Sequence, residues 1–315
     1  MKIIITEFNW PSGNQLLQEK GWQVVYDPEL WTNREKLQSE LKDADAIIVR
    51  NQTKVDVELI QAAPRLKVIG RLGVGLDNID LEATAQRGIV TVFGKNANAT
   101  SVAEYVIGSI FQFSRKIRDA SHDVKAGGWN RKAFTGVELF GKTLGLIGVG
   151  EISHRVAIRA KALGMNIIGY DPFVAPYDFP VMESGIELME YEAVVQNADF
   201  LSLHVPLTRG TKNLINEHIL HRMKSTSIII NSSRGGIINE FDLFHALKNN
   251  KIAGAILDVL EDEPPNENHP LLTLENCIIT PHIAGLTEES QSRTSELVSK
   301  EVISELEGKI SLCRV

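Results

Sequence analysis

Residues Thr143 to Asp171, reading TLGLIGVGEISHRVAIRAKALGMNIIGYD, constrain the fold more than any other stretch. Thr143 to Ile147 is a short apolar run of strand character, followed at once by Gly148-Val149-Gly150-Glu151-Ile152-Ser153. An Ala-rich segment with helical spacing comes next, then a second apolar run, Asn166 to Tyr170, that ends in Asp171. Strand, glycine turn, helix, strand and acid, in that order, make the context in which a dinucleotide binds. Two glycines let the backbone turn sharply and approach a pyrophosphate, whose charge then rests on the helix N-terminus. Asp171 falls about 20 residues on, where a carboxylate accepts hydrogen bonds from both ribose hydroxyls and repels a 2′-phosphate, so NAD is the expected cofactor. Ser153 stands where a third glycine usually allows close packing of helix and strand, and its hydroxyl must be accommodated.

At 315 residues the chain is expected to form about two domains with sizeable cores. A formal charge of −7 gives no electrostatic footprint for nucleic acid or an anionic membrane. Cys277 and Cys313 have no metal-ligand spacing and are too few for a disulfide framework, so no metal is expected and a reduced cytoplasmic setting is. Met1-Lys2 runs straight into Ile3-Ile4-Ile5, too short an apolar run for a signal peptide. No apolar run approaches the length needed to cross a bilayer.

From the N-terminus, strand-like runs at Lys2–Thr6, Gln23–Tyr26, Ala46–Val49, Lys67–Gly70 and Ile89–Val92 alternate with helical patterns such as Ser12–Lys20 and Arg34–Lys42. Such alternation implies a parallel sheet covered by helices. A longer helical stripe carries Val102, Tyr105, Val106, Ser109, Ile110, Phe113 and Ile117. The second βα series starts at Thr143 and continues through Asp199–Leu203, Ser227–Asn231, Ala253–Leu257 and Cys277–Thr280. The last amphipathic segment, Glu288 to Glu307, is expected to return to the first domain. The expected architecture is α/β with two doubly wound parallel sheets. A Rossmann cofactor domain (98–287) is inserted into a flavodoxin-like substrate domain (1–97 and 288–315).

Ligands of open parallel sheets bind beyond the carboxyl ends of the strands, so polar residues there carry the functional expectation. Ser232-Ser233-Arg234 follows one strand, Asp258 through Glu263 the next, and Pro281-His282 the last. Singly, each is more commonly a solvated charge or a structural histidine; together on consecutive strands they suit the interconversion of a 2-hydroxy acid and a 2-keto acid. Arg234 can fix the carboxylate and polarise the carbonyl. His282 can exchange the proton, with Glu263 orienting its ring and favouring the imidazolium. In the first domain, Arg71-Leu72-Gly73-Val74-Gly75 can cradle a carboxylate with backbone N–H groups. Arg50, followed by Asn51-Gln52-Thr53, can pair with a second anionic group on the substrate, although a surface ion pair is nearly as good a reading.

These residues resemble the D-isomer-specific 2-hydroxyacid dehydrogenases over essentially the whole chain. The motifs are GRLGVGLDNID (70–80), SVAE (101–104), GKTLGLIGVGEI (141–152), NSSRGG (231–236), DVLEDEP (258–264) and TPHIAG (280–285). Within the family the chain looks most like the phosphoglycerate dehydrogenase branch, and the C-terminal regulatory domain of some members is not expected. The resemblance implies that Arg234, Glu263 and His282 are catalytic, and that Arg50, Arg71, Val74, Gly75 and Asn98 bind substrate. It implies cofactor contacts at Thr100, Gly148, Gly150, Glu151, Ile152, Asp171, His204, Pro206, Ser232, Asp258, His282 and Gly285. Glu263 distinguishes the chain from the formate dehydrogenase relatives, which look different in carrying glutamine there. Trp129-Asn130-Arg131 resembles a segment that reaches a neighbouring subunit, implying a homodimer through the cofactor domain. The substrate loop departs from the branch, reading Arg50-Asn51-Gln52 where Arg-Ser is usual.

The expected activity is NAD-dependent hydride transfer on a D-2-hydroxy acid with a second anion, 3-phosphoglycerate first and sulfolactate next. Glyoxylate or hydroxypyruvate reduction is the alternative if Arg50 faces solvent. A protein of another class, an NAD-sensing interaction protein of the same fold, would bind nicotinamide cofactor without turnover. No nucleic-acid or membrane partner is expected.

Overall fold

Strands buried on both faces must be apolar along their whole length. Ile3-Ile4-Ile5 and Ala46–Val49 meet that demand, and each of these residues is fully buried. In the computed structural model, which describes residues 1–315, they form β1 (Lys2–Ile5) and β3 (Ala46–Val49). With β2 (Gln23–Tyr26), β4 (Val68–Arg71) and β5 (Val90–Phe93) they make a five-stranded parallel sheet of order β2-β1-β3-β4-β5. Helices α1 (Pro11–Gln18), α2 (Arg34–Leu41), α3 (Val57–Ala62) and α4 (Leu81–Gln86) connect these strands. Asn33, Asp56 and Asp80 cap the last three, each side chain accepting a backbone N–H of its first turn. This order is that of flavodoxin-like sheets, in which the direction of winding reverses between the strands β1 and β3.

The second sheet has seven parallel strands: β6 (Thr143–Ile147), β7 (Asn166–Tyr170), β8 (Glu187–Leu188), β9 (Phe200–Leu203), β10 (Ile228–Asn231), β11 (Gly254–Leu257) and β12 (Cys277–Ile279). Their order, β12-β11-β10-β9-β6-β7-β8, is the Rossmann order with one strand added at an edge, and it reverses between β6 and β9. Its helices are α5 (Ala99–Arg115), α6 (Ile117–Lys125), α7 (Glu151–Ala162), α8 (Phe179–Ser184), α9 (Tyr191–Asn197), α10 (Glu217–Leu220) and α11 (Glu240–Lys248). A final helix, α12 (Glu288–Leu306), is capped by a reciprocal pair, Thr287 with Ser290. It buries Val298, Val302, Ile303 and Leu306 with Ile3, Ile5 and Val68 of the first sheet.

The chain divides into one unit of Met1–Asn98 with Leu286–Val315 and a second of Ala99–Gly285. Five strands begin a residue later than their expected runs: β9, β10 and β11 lose only their first residue, whereas Val68–Arg71 and Val90–Phe93 are displaced whole from Lys67–Gly70 and Ile89–Val92. The helical stripe expected to run through Ile117 is interrupted. The Ser114 carbonyl accepts from the Val137 N–H, Lys116 turns left-handed (φ 45°), and Ile117 starts α6 with 66% of its surface exposed.

Candidate active site

At the reversal point of the second sheet, β6 runs out into the glycine turn. Gly148 has φ 88°, a left-handed value that disfavours a side chain, and a Cβ there would lie 2.5 Å from the His204 carbonyl oxygen beyond β9. The first glycine is therefore required by the protein's own packing. Gly150 differs: its φ is −100°, and a Cβ there would meet nothing within 4 Å. No side chain caps the N-terminus of α7, the twelve-residue helix that Gly150 opens. The open face over Gly150 and an uncapped helix end fit a bound pyrophosphate.

Asp171 reaches back from β7 to this turn. One carboxylate oxygen accepts from the Val149 N–H (2.9 Å) and the other from the Phe173 N–H (2.9 Å). Ser153 is fully buried, and its hydroxyl donates to the Gly148 carbonyl at 2.5 Å, closing the turn from inside the helix. Glu151 and Thr100 are drawn together by Arg155, which donates to both (2.6 and 3.2 Å). Ile152 beside them is half-buried. Past β9, the His204 ring lies 3.0 Å from the Ser202 hydroxyl, and burial pushes its pKa down to about 4. Pro206 is exposed. The Ser232 hydroxyl oxygen is buried without a protein partner, a donor left over for a ligand.

The second cluster is built by the loops after β10, β11 and β12. Asn231 ends β10, 2% exposed; its side-chain oxygen accepts from the Ser233 N–H and hydroxyl, and its amide donates to the Arg234 carbonyl. The loop after β10 lies so close to the loop after β11 that a Cβ on Gly235 would come within 1.9 Å of the Leu260 carbonyl oxygen. That contact brings Arg234 near Glu263. Glu263 accepts from the Leu260 N–H and lies 2.8 Å from His282 Nδ1. Burial alone would raise the Glu263 pKa, but the His282 hydrogen bond and charge, with Arg234, hold it below the usual carboxylate range. A carboxylate acceptor places the proton on Nδ1 and leaves Nε2 to exchange a proton with a ligand.

His282 is itself left-handed (φ 56°), which costs a non-glycine residue about 1–2 kcal/mol. Its N–H donates to the Asp258 and Thr280 carbonyls at 2.9 and 3.0 Å. Asp258 is 1% exposed, and its carboxylate accepts from the Thr280 hydroxyl and the Ile283 and Ala284 N–H groups. The Tyr105 hydroxyl of α5 lies 2.6 Å from that of Thr280. Asp258, expected at the cofactor, thus holds the loop from His282 to Ala284.

The remaining expected residues lie in the first unit. Arg50 follows β3 at the reversal point of that sheet. Its loop is clamped by Glu7, whose carboxylate accepts from the N–H groups of residues 50 to 53 and from the Thr53 hydroxyl. Asn78 donates to the Arg50 and Thr53 carbonyls. Glu7 is not singled out by the sequence, although its position directly behind a strand is a signal, and Asn78 lies within the 70–80 motif without an assigned role. Arg71 turns back on its own strand end, Nη1 donating to the Leu72 carbonyl across Gly73. Val74 is exposed and Gly75 half-buried, so the turn they form is open to a ligand. The Asn98 side-chain oxygen is buried without a protein partner.

Residues 107–284 match the family model described as D-isomer specific 2-hydroxyacid dehydrogenase, NAD binding domain. Over 313 residues the chain is 44% identical to the D-3-phosphoglycerate dehydrogenase of Methanocaldococcus jannaschii, covering 99% of this chain and 58% of that protein. It spans somewhat under three-fifths of the length of the curated relatives it matches. A crystal structure of a glyoxylate reductase from Paecilomyes thermophila is similar with a TM-score of 0.89 and 30% identity, covering 100% of this chain and 98% of that one. The NAD-dependent formate dehydrogenase from Staphylococcus aureus in complex with NAD has a TM-score of 0.84 and 28% identity, covering 98% and 96%. On the family model and these full-length likenesses, the chain belongs to the D-isomer-specific 2-hydroxyacid dehydrogenase family.

Proposed function

We propose that this chain is an NAD-dependent dehydrogenase interconverting a D-2-hydroxy acid and its 2-keto acid. Its substrate carries a second anionic group, with 3-phosphoglycerate first and sulfolactate next. The observation that carries the reading is the His282–Glu263 pair, held at 2.8 Å on adjoining strand-end loops beside Arg234. A nicotinamide, when bound, supplies the hydride acceptor for C2. Arg234 binds the substrate carboxylate and the C2 oxygen through its planar fork. His282 Nε2 takes the hydroxyl proton as the carbonyl forms, and returns it in the reverse direction. Glu263 keeps the ring in its orientation and stabilises the imidazolium.

NAD rather than NADP is supported by Asp171, anchored at the glycine turn, and by the absence of Lys or Arg from residues 172–178. Arg50, Arg71, Val74, Gly75 and Asn98 are proposed to bind substrate from the unit 1–98 plus 286–315. Residues 99–285 are proposed to hold the cofactor. Likeness to a glyoxylate reductase favours glyoxylate or hydroxypyruvate as a second substrate class. No helix is long and apolar enough to cross a membrane. Both cysteines are free, which favours the reduced, cytoplasmic setting proposed here. Replacing His282 tests the reading: His282→Gln is expected to lower kcat by about 10²–10⁴-fold, as for loss of a general acid–base group, with NAD affinity unchanged by titration. Unchanged kcat in that variant would remove His282 from proton transfer.

A further inference from the structure

The Arg50 guanidinium is half-buried, yet its partner is neutral. Its Nη2 donates to the side-chain oxygen of Gln291, on the first turns of α12. Glu7, the carboxylate nearest in the loop, has its two oxygens occupied by five donors from residues 50 to 53. Burial disfavours the charged form of Arg50 more than Glu7 favours it, and lowers its pKa below the ordinary arginine value. An arginine nevertheless stays charged at any pH at which proteins fold.

Both ends of the Arg50–Gln291 contact are rigid. Asn78 and Glu7 fix the Arg50 backbone, and the capping pair of Thr287 and Ser290 fixes the start of α12. The two side chains line one small cavity with Phe8, Asn9, Trp10 and Leu72. A carboxamide oxygen orients a guanidinium without neutralising it, so the positive charge is retained for an incoming anion. A carboxylate in the same place would form an internal ion pair, and an anionic ligand would have to compete with it.

Resting on the reading of Arg50 as the receptor of the distal anion, we infer that Gln291 is its positioning residue. It aims the guanidinium and, by being uncharged, sets the preference for substrates with a second anion. Gln291 acts through Arg50 and touches neither the reacting carbon nor the cofactor.

The test compares D-3-phosphoglycerate with D-glycerate, the same acid without its phosphate. Both are titrated by calorimetry into the NAD-loaded natural protein and the R50A, Q291E and Q291M variants, with KM and kcat measured alongside. The natural protein is expected to prefer the phosphorylated acid by tenfold or more, the scale of one or two charge-assisted hydrogen bonds, and R50A to lose that preference. Q291E is expected to lose about tenfold of it through KM rather than kcat, and Q291M about threefold, because aim is lost but charge is kept. A purely structural Gln291 would weaken both acids alike in every variant. If R50A loses the preference while Q291E keeps it within about twofold, the inference is wrong and the reading of Arg50 stands. If the natural protein has no preference, or R50A retains it, the reading of Arg50 fails and the inference falls with it.

Discussion

Ser153 occupies the place where the dinucleotide fingerprint calls for a glycine, and its hydroxyl bonds the carbonyl of Gly148 five residues back. The turn is thereby closed with a hydrogen bond instead of a bare backbone approach. His204, across the reversal point, is a histidine whose burial disfavours its charged form. Its folded pKa is about 4, against an ordinary value of 6.5. Between those values the unfolded chain holds a proton that the folded chain rejects, so stability present above 6.5 is lost as pH falls towards 4. The shifted carboxylates have ordinary values of 3.8 and 4.5, so their loss of stability falls mainly below pH 5. His204→Gln is therefore expected to reduce the drop in melting temperature between pH 7 and pH 5; a drop as large as that of the natural protein would show that His204 is not its source. The placement of Arg234, Glu263 and His282 on neighbouring strand-end loops was readable in the sequence because each follows a strand of obvious apolar character. Glu7 was not, because the donors it serves lie 43 to 46 residues away.

At the scale of elements, the two glycines of the β6–α7 turn serve different masters. A side chain at Gly148 strains the backbone and collides with the His204 carbonyl, whereas one at Gly150 points into open space. Gly148→Ala is accordingly expected to destabilise the protein by about 1–2 kcal/mol from the backbone alone, and more from the collision. Gly150→Ala is expected to change stability by no more than about 0.5 kcal/mol, as for an unstrained surface change. It should still weaken NAD binding by about tenfold or more, the effect of a steric loss of 1.4 kcal/mol. Undiminished NAD affinity in Gly150→Ala would show that the pyrophosphate does not pass over this glycine. Most strands could be placed from sequence to within a residue, since fully buried parallel strands are continuous apolar runs. The break between α5 and α6 could not: it depends on the Val137 N–H capturing the Ser114 carbonyl from a distant part of the chain. Two-residue β8 is too short to show any period at all.

At the scale of the whole molecule, the two sheet orders place the proposed residues. The glycine turn and His204 flank the reversal between β6 and β9, and Arg50 follows β3 at the reversal of the other sheet. These long-range pairings were inferable only through the general winding of βα units, since no local pattern specifies which strands are neighbours. Trp129, Val137 and Phe140 are 77%, 51% and 78% exposed, apolar side chains that the homodimer expected from the sequence would have to cover. Sedimentation is expected to give a dimer for the natural protein and a shift towards monomer for Trp129→Glu; a monomer at every concentration would remove the dimer. Steady-state turnover with D-3-phosphoglycerate, sulfolactate, D-glycerate and glyoxylate, using NAD(H) and NADP(H) in turn, decides both cofactor and substrate class. Turnover with NAD is expected well above that with NADP, and doubly anionic acids ahead of singly anionic ones. Equal rates with the phosphorylated cofactor would contradict the role of Asp171, and NAD binding without turnover of any acid would mark the chain as a cofactor sensor instead.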